Sequence, residues 1–225
     1  MGPRKEYQKD AWIPIGGNDD ATSYLPSNSA LAATFNRKRA LESGTILGRE
    51  ARGRGKDMIL APGINIHRSP LGGRNFEYMS EDPYLTAEIA VPFVEGIQQN
   101  DVSACVKHYA LNNQETDRTG YNADVSERAL WEIYLPAFKM AVQEGGVWSI
   151  MGAYNLYKGQ HLCHNQYTLN DILKGEWGFD GVVISDWGGT HDTWQAITNG
   201  LDMEFGSWTN GLSNGASNAY DNYYL

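Results

Sequence analysis

Apolar residues along the chain fall into two spacings. Over about 30–53, Leu31, Phe35, Ala40, Ile46 and Leu47 can share one broad stripe with Arg and Lys between them, which predicts a helix. Asp57-Met58-Ile59-Leu60-Ala61-Pro62-Gly63 follows, a short apolar run stopped by Pro-Gly, which predicts a buried strand ending in a loop. The pattern then repeats. A helix over 83–99 leads to the strand Val102-Ser103-Ala104-Cys105-Val106. A second begins at Asp124, with Glu127 as the far member of a capping box, and runs to about 144, divided or kinked at Pro136. The strand Val147-Trp148-Ser149-Ile150-Met151 comes next. Helices over 169–177 and 190–199 lead to strands over 181–185 and 201–205. Short, nearly all-apolar strands alternating with helices predict a parallel sheet covered by helices.

Polar residues gather where these strands end: Asn65 and His67, Lys107 and His108, Tyr154 and Asn155, Asp186 and Trp187, then Glu204. α/β barrels and open α/β sheets both place ligands at the carboxyl ends of parallel strands. No GxGxxG or GxxxxGK[ST] follows a strand, so the dinucleotide and P-loop versions lose ground and a (β/α) barrel fits better. Five strands are legible where a closed barrel needs eight; segments 13–26 and 63–80 could hold one or two more. Residues 1–28 are rich in turn formers and open no periodic run.

Composition narrows the partners. In 225 residues, 18 Lys and Arg stand against 27 Asp and Glu, a net charge of -9, which disfavours nucleic acid and anionic membrane surfaces. No stretch approaches the roughly 18 apolar residues of a membrane span. The start, Met1-Gly2-Pro3-Arg4, is not a signal-peptide core, and the compartment stays open. Two cysteines make neither a disulfide framework nor, alone, a zinc site. The five histidines show no HExxH-type spacing, although His161 and His164 are three apart, so neither a metal nor a cofactor is expected. The surplus is 25 Gly, 7 Trp and 13 Tyr, which suits sugar- or peptide-handling loops and equally an aromatic core.

Three segments carry candidate chemistry. Asp186, at the end of an apolar strand and beside Trp187, has the surroundings a nucleophile or metal ligand requires. The alternative is a cap for the helix starting near Thr190. Lys107-His108 would place two strong donors at the sheet's mouth, and a lysine there resists burial without a partner. In Gly72-Gly73-Arg74-Asn75-Phe76-Glu77, Arg74 offers a fork of donors to vicinal hydroxyls; the alternative is a weak Arg74–Glu77 surface pair.

Taken together, Gly-Arg-Asn-Phe-Glu-Tyr-Met-Ser-Glu-Asp-Pro-Tyr (73–84), Lys-His-Tyr-Ala-Leu-Asn-Asn-Gln-Glu (107–115), Glu-Arg-Ala-Leu-Trp-Glu-Ile-Tyr-Leu-Pro-Ala-Phe (127–138), Met-Gly-Ala-Tyr-Asn (151–155) and Ser-Asp-Trp (185–187) resemble glycoside hydrolase family 3, most of all its bacterial β-glucosidase branch. The resemblance runs from about residue 30 to the end. It implies one N-terminal catalytic domain over 1–225, a TIM-like (β/α)8 barrel, with β-glucosides or cello-oligosaccharides as substrates and a retaining mechanism. It implies Asp186 as nucleophile, Arg74, Lys107, His108 and Arg118 as donors to the sugar in the −1 subsite, Met151 and Tyr154 packed beside the nucleophile, and Trp187 as an aromatic platform. Nearby Lys and Arg would then favour the ionised form of Asp186.

Two departures qualify this. The family's Asp-Gly-Pro is Met1-Gly2-Pro3 here, so the Asp is replaced and the first strand is expected to be missing. A retaining glycosidase also needs a second carboxyl about 5–5.5 Å from the first. In this branch it comes from a following domain, so no acid/base is assigned in this chain, with Glu204 as a weak internal candidate. Glu77 and Glu115 are expected to orient Arg74 and Lys107. Two other readings stay open: a sugar-binding barrel fragment without catalysis, and a barrel completed by a second copy or a complementing domain.

Overall fold

A computed structural model describes residues 22–205. The expected helix over 30–53 is two helices, α1 (Asn28–Ala32) and α2 (Arg37–Gly53). Phe35 takes a left-handed φ of 50°, and Asn36 caps α2 by accepting from Arg39 N–H. Helix α3 (Pro83–Gln98) starts where Asp82 accepts from the amides of Tyr84 and Leu85, with proline at its first position. It lies directly against α2. A Cβ at Gly44 would sit 2.2 Å from the carbonyl oxygen of Phe93, and one at Gly96 2.4 Å from that of Leu41, so only glycine admits this approach.

Strands β1 (Met58–Ile59), β2 (Ser103–Tyr109), β4 (Ser149–Gly152) and β7 (Val182–Ile184) form one all-parallel sheet in that order. Met58 pairs with Ser103, Cys105 with Ser149, and Ile150 with Val183. The two faces of this sheet differ. Ala104, Val106, Ile150 and Val183 pack under the helices with Phe93, Ile97, Leu130, Phe138 and Leu169 in the main core. Cys105, Met151 and Ile184 form a small second cluster, with Met58, Leu60 and Phe205 against it.

The expected fifth strand over 201–205 is corrected: it touches β7 through a single parallel bridge, Ile184 to Met203. The reason is local, because the Asp202 carboxylate takes the Val183 N–H at 2.7 Å. No closed barrel is present among the described residues. Segment 63–80 adds one bridge, Gly63 to Lys107, and no strand. The expectations at Met1 and over most of 13–26 lie outside the described residues.

The helix expected from Asp124 starts later. Ser126 is its cap, accepting from Ala129 N–H, and α4 (Glu127–Ala129) passes through a wider π-helical turn, Leu130–Tyr134, before Pro136 opens α5 (Pro136–Gln143). A π-helical segment, Tyr167–Glu176, a short α6 (Thr193–Thr198) and two single 3-10 turns, Asn75–Glu77 and Leu162–His164, complete the helices among the described residues. A second small sheet was not anticipated. Its strands are β3 (Asn122–Ala123), β5 (Leu156–Tyr157) and β6 (Gln160–His161), the last two joined by Lys158-Gly159, both at positive φ as a tight hairpin requires. No helix among the described residues is long and apolar enough to cross a membrane.

Candidate active site

Asp186 follows β7, is buried to 6% exposure, and does not cap the next helix; Asp192 does that, accepting from Gln195 N–H at 2.8 Å. Asp186 Oδ1 accepts from the Trp187 amide at 2.8 Å, and the Tyr154 phenol also hydrogen-bonds the carboxylate. Its Oδ2 lies 3.6 Å from His108 Nε2, just beyond a hydrogen bond. Burial pushes the Asp186 carboxyl above the ordinary aspartate value. The Trp187 amide, Tyr154, Arg74 and Lys107 pull the other way, the cations favouring the ionised form in the expected direction but falling short of the burial.

Those cations are held by a carboxylate set deeper than a surface pair. Glu77 receives Arg74 Nη2 at 2.7 Å on Oε2 and Lys107 Nζ at 2.8 Å on Oε1, with all three side chains largely buried. Arg74 and Lys107 come from separate segments, the loop after β1 and the strand β2, and Glu77 ties them together. Helix α1 fixes the turn that carries Arg74 and Glu77: Asn28 Nδ2 donates to the Glu77 carbonyl, and Ser29 Oγ reaches the carbonyls of Asn75 and Tyr78.

Arg118 pairs with Glu115 at 2.7 Å, so Glu115 orients Arg118 rather than Lys107, and it stands 4.0 Å from Arg74. The Arg118 guanidinium lies over the Tyr154 ring, 4.6 Å from its centroid, and so meets the Asp186 neighbourhood through that ring. Three cations, Arg74, Lys107 and Arg118, thus meet three carboxylates, Glu77, Glu115 and Asp186.

Met151, on β4, is buried beside Cys105 and Ile184, its register partner on β7 two residues before Asp186. Trp187 is 40% exposed, its ring 5.3 Å from that of Phe205. Glu204 is half-buried; both its carboxylate oxygens lack a partner among the described residues, and burial raises its pKa to about 7. Cys105 and Cys163 are free and buried. Cys163 packs under the loop after Asp186, where a Cβ at Gly189 would sit 2.7 Å from its Sγ.

Two residues lie against His108 for which the sequence suggests no role there: Asn65 stands out only as a polar residue at a strand end, and Tyr78 only within the 73–84 motif. Tyr78 places its hydroxyl 2.9 Å from His108 Nδ1, and Asn65 grips the His108 backbone through both N–H and C=O. His161, His164 and His191 also gather, with His161 stacked on His191 at 3.8 Å, but no group among the described residues could hold a metal ion.

The arrangement is a buried carboxylate ringed by fixed donors and flanked by a part-exposed indole. Residues 15–203 match the family model "Glycosyl hydrolase family 3 N terminal domain". The chain belongs to glycosyl hydrolase family 3. Among its family 3 relatives, beta-glucosidase BoGH3A of Bacteroides ovatus is 54% identical over 224 residues, all but the whole of this chain and 30% of that protein. An exo-alpha-(1->6)-L-arabinopyranosidase of Bifidobacterium longum is 45% identical over 82% of this chain and 24% of its own length. The structure of beta-glucosidase 3B from Thermotoga neapolitana in complex with glucose superposes with a TM-score of 0.83 at 42% identity, covering 91% of this chain and 28% of that one. The chain therefore spans less than a third of these family 3 proteins.

Proposed function

We propose that this chain is the nucleophile-bearing part of a retaining β-glucosidase, and that its parallel sheet is an arc of a TIM-like barrel. The observation that carries the reading is Asp186: a buried carboxylate at a strand's C-terminal end, one oxygen held by the Trp187 amide and the other facing His108 and the Arg74–Lys107 pair. Relatives named beta-glucosidases and a neighbour solved with glucose support the substrate class.

Asp186 Oδ2 would attack the anomeric carbon as the bond to the aglycone oxygen breaks, and that oxygen takes a proton from a second carboxyl. Water then releases the sugar from the Asp186 ester, returning its proton to the same carboxyl. Arg74, Lys107, His108 and Arg118 hold the sugar's hydroxyls, Met151 and Tyr154 position the nucleophile, and Trp187 lies under a sugar ring. The second carboxyl is assigned outside this chain, because Glu204, although raised to about 7, has no donor or cation among the described residues to orient it.

The test is hydrolysis of 4-nitrophenyl β-glucoside by the full-length protein, with 4-nitrophenyl α-L-arabinopyranoside as the competing substrate. Asp186→Ala should abolish turnover, and a 2-fluoroglucosyl adduct should map to Asp186 by mass spectrometry. Unchanged turnover in Asp186→Ala would overturn the reading.

A further inference from the structure

Tyr78 and His108 form a contact that the charge pairs around Asp186 do not explain. Arg74 Nη2 lies 3.1 Å from His108 Nε2. A guanidinium has only N–H donors, so a contact of that length requires a lone pair on Nε2. The ring proton then sits on Nδ1, where the Tyr78 oxygen waits at 2.9 Å. Neither partner has slack. Tyr78 is buried to 3% exposure, its ring edge-on to the imidazole at 6.0 Å, and its carbonyl is bound by Ser29 Oγ. His108 N–H donates to Asn65 Oδ1 at 2.7 Å, and the His108 carbonyl accepts from Asn65 Nδ2 at 2.9 Å.

We propose that Tyr78 is a positioning residue that holds His108 as the neutral Nδ1–H tautomer, leaving the Nε2 lone pair facing the space beside Asp186. This inference rests on the glucoside reading for its consequence, though not for its geometry. An Nε2–H would confront the Arg74 N–H at 3.1 Å and be drawn to Asp186 Oδ2 at 3.6 Å. An imidazolium would pair with the nucleophile and weaken it. Burial, then Arg74, Lys107 and Arg118, hold His108 far below the ordinary histidine range, consistent with the neutral ring. His108 thus acts as an acceptor, not the donor expected from sequence: a sugar hydroxyl that displaces the Arg74 N–H from Nε2 gives its proton to that lone pair and accepts from the Arg74 N–H it has freed.

The test begins with the wild-type full-length protein, its histidines labelled with 15N and His108 identified by the resonance missing from His108→Gln. Long-range proton–nitrogen correlation at neutral pH should show the proton on Nδ1 alone; a proton on Nε2, or on both nitrogens, overturns the proposal. In Tyr78→Phe the Nδ1–H loses its acceptor, so the tautomers should mix and kcat/KM on the aryl glucoside should fall roughly tenfold. The loss should shrink for one monodeoxy glucoside, the one lacking the hydroxyl that His108 accepts. An unmixed tautomer with full kcat/KM, or an equal loss across all deoxy substrates, overturns it. If Tyr78→Phe does not fold, the wild-type spectrum decides alone. A wild type with the expected tautomer that cleaves no aryl glycoside would sink the glucoside reading and leave the tautomer assignment standing.

Discussion

Replacing Glu77 by Gln removes one negative charge from between two cations while keeping the side chain's shape. At 2.7 and 2.8 Å, each pair is worth about 6 kcal/mol of gross Coulomb attraction at an effective dielectric of about 20. Most of that is offset by the water stripped from the three groups, and breaking a comparable buried pair costs about 3–5 kcal/mol. Gln keeps an acceptor oxygen and Arg74 retains 20% exposure, so a net loss of about 2–4 kcal/mol is expected. In a chain of this size that lowers Tm by about 5–12 °C, read by thermal denaturation followed by circular dichroism. The acid limb supplies a second readout. Burial raises the Glu77 pKa, but Lys107 and Arg74 outweigh it and hold the carboxyl below its ordinary 4.5. Its stabilisation is therefore fully present above pH 4.5 and is lost as pH falls through the lower native value, so the variant and wild type should converge in acid. Glu42→Gln, which breaks the exposed Arg39 pair, is the control and should change stability by no more than roughly 0.5 kcal/mol. Equal melting of Glu77→Gln and this control would refute the reading of Glu77 as the buried tie between Arg74 and Lys107.

Further outcomes follow from packing and titration. Gly44→Ala should destabilise by about 2 kcal/mol or more in urea denaturation despite better helix propensity, since its Cβ would meet the Phe93 carbonyl, whereas Gly53→Ala meets nothing within 4 Å and should be neutral or stabilising. Asp82→Ala removes the cap of α3 and should cost about 1 kcal/mol by the same measurement. Glu204, raised to about 7, binds a proton more tightly folded than unfolded, so its contribution falls as pH rises from 4.5 through about 7. Glu204→Gln should flatten that decline in a pH series of melts and leave aryl-glucoside turnover intact; lost turnover would instead make Glu204 a candidate for the acid.

The strands legible in the sequence are those whose apolar runs face helices, as at Val106, Ile150 and Val183, because burial on both faces leaves an unbroken signal. The run at 201–205 reads the same way but lacks the ladder, since periodicity cannot show a side chain competing for a backbone N–H as Asp202 does. Polar residues at strand ends revealed Asp186, Lys107 and His108. Spacing alone left a surface Arg74–Glu77 pair open as the alternative, because the cation that buries it, Lys107, is thirty residues from Glu77. The roles of Tyr78 and Asn65 were illegible for a related reason: one looks like an aromatic of the core, the other stands out only as a polar residue at a strand end, and only the fold sets them against His108. The β5–β6 hairpin hid behind Lys158-Gly159, a turn whose lysine gives no hint of its positive φ.

Hydrogen bonds from Asn28 and Ser29 to the turn holding Arg74, Glu77 and Tyr78 have a practical consequence for dissecting the protein. A shortened version that begins beyond residue 29 would keep every residue of the Asp186 cluster and still release the backbone that aims Arg74. On the proposed glucosidase reading, sugar affinity would then fall without any change in the cluster's composition. Loss of function on trimming at that end would report an untethered turn, not a missing catalytic group.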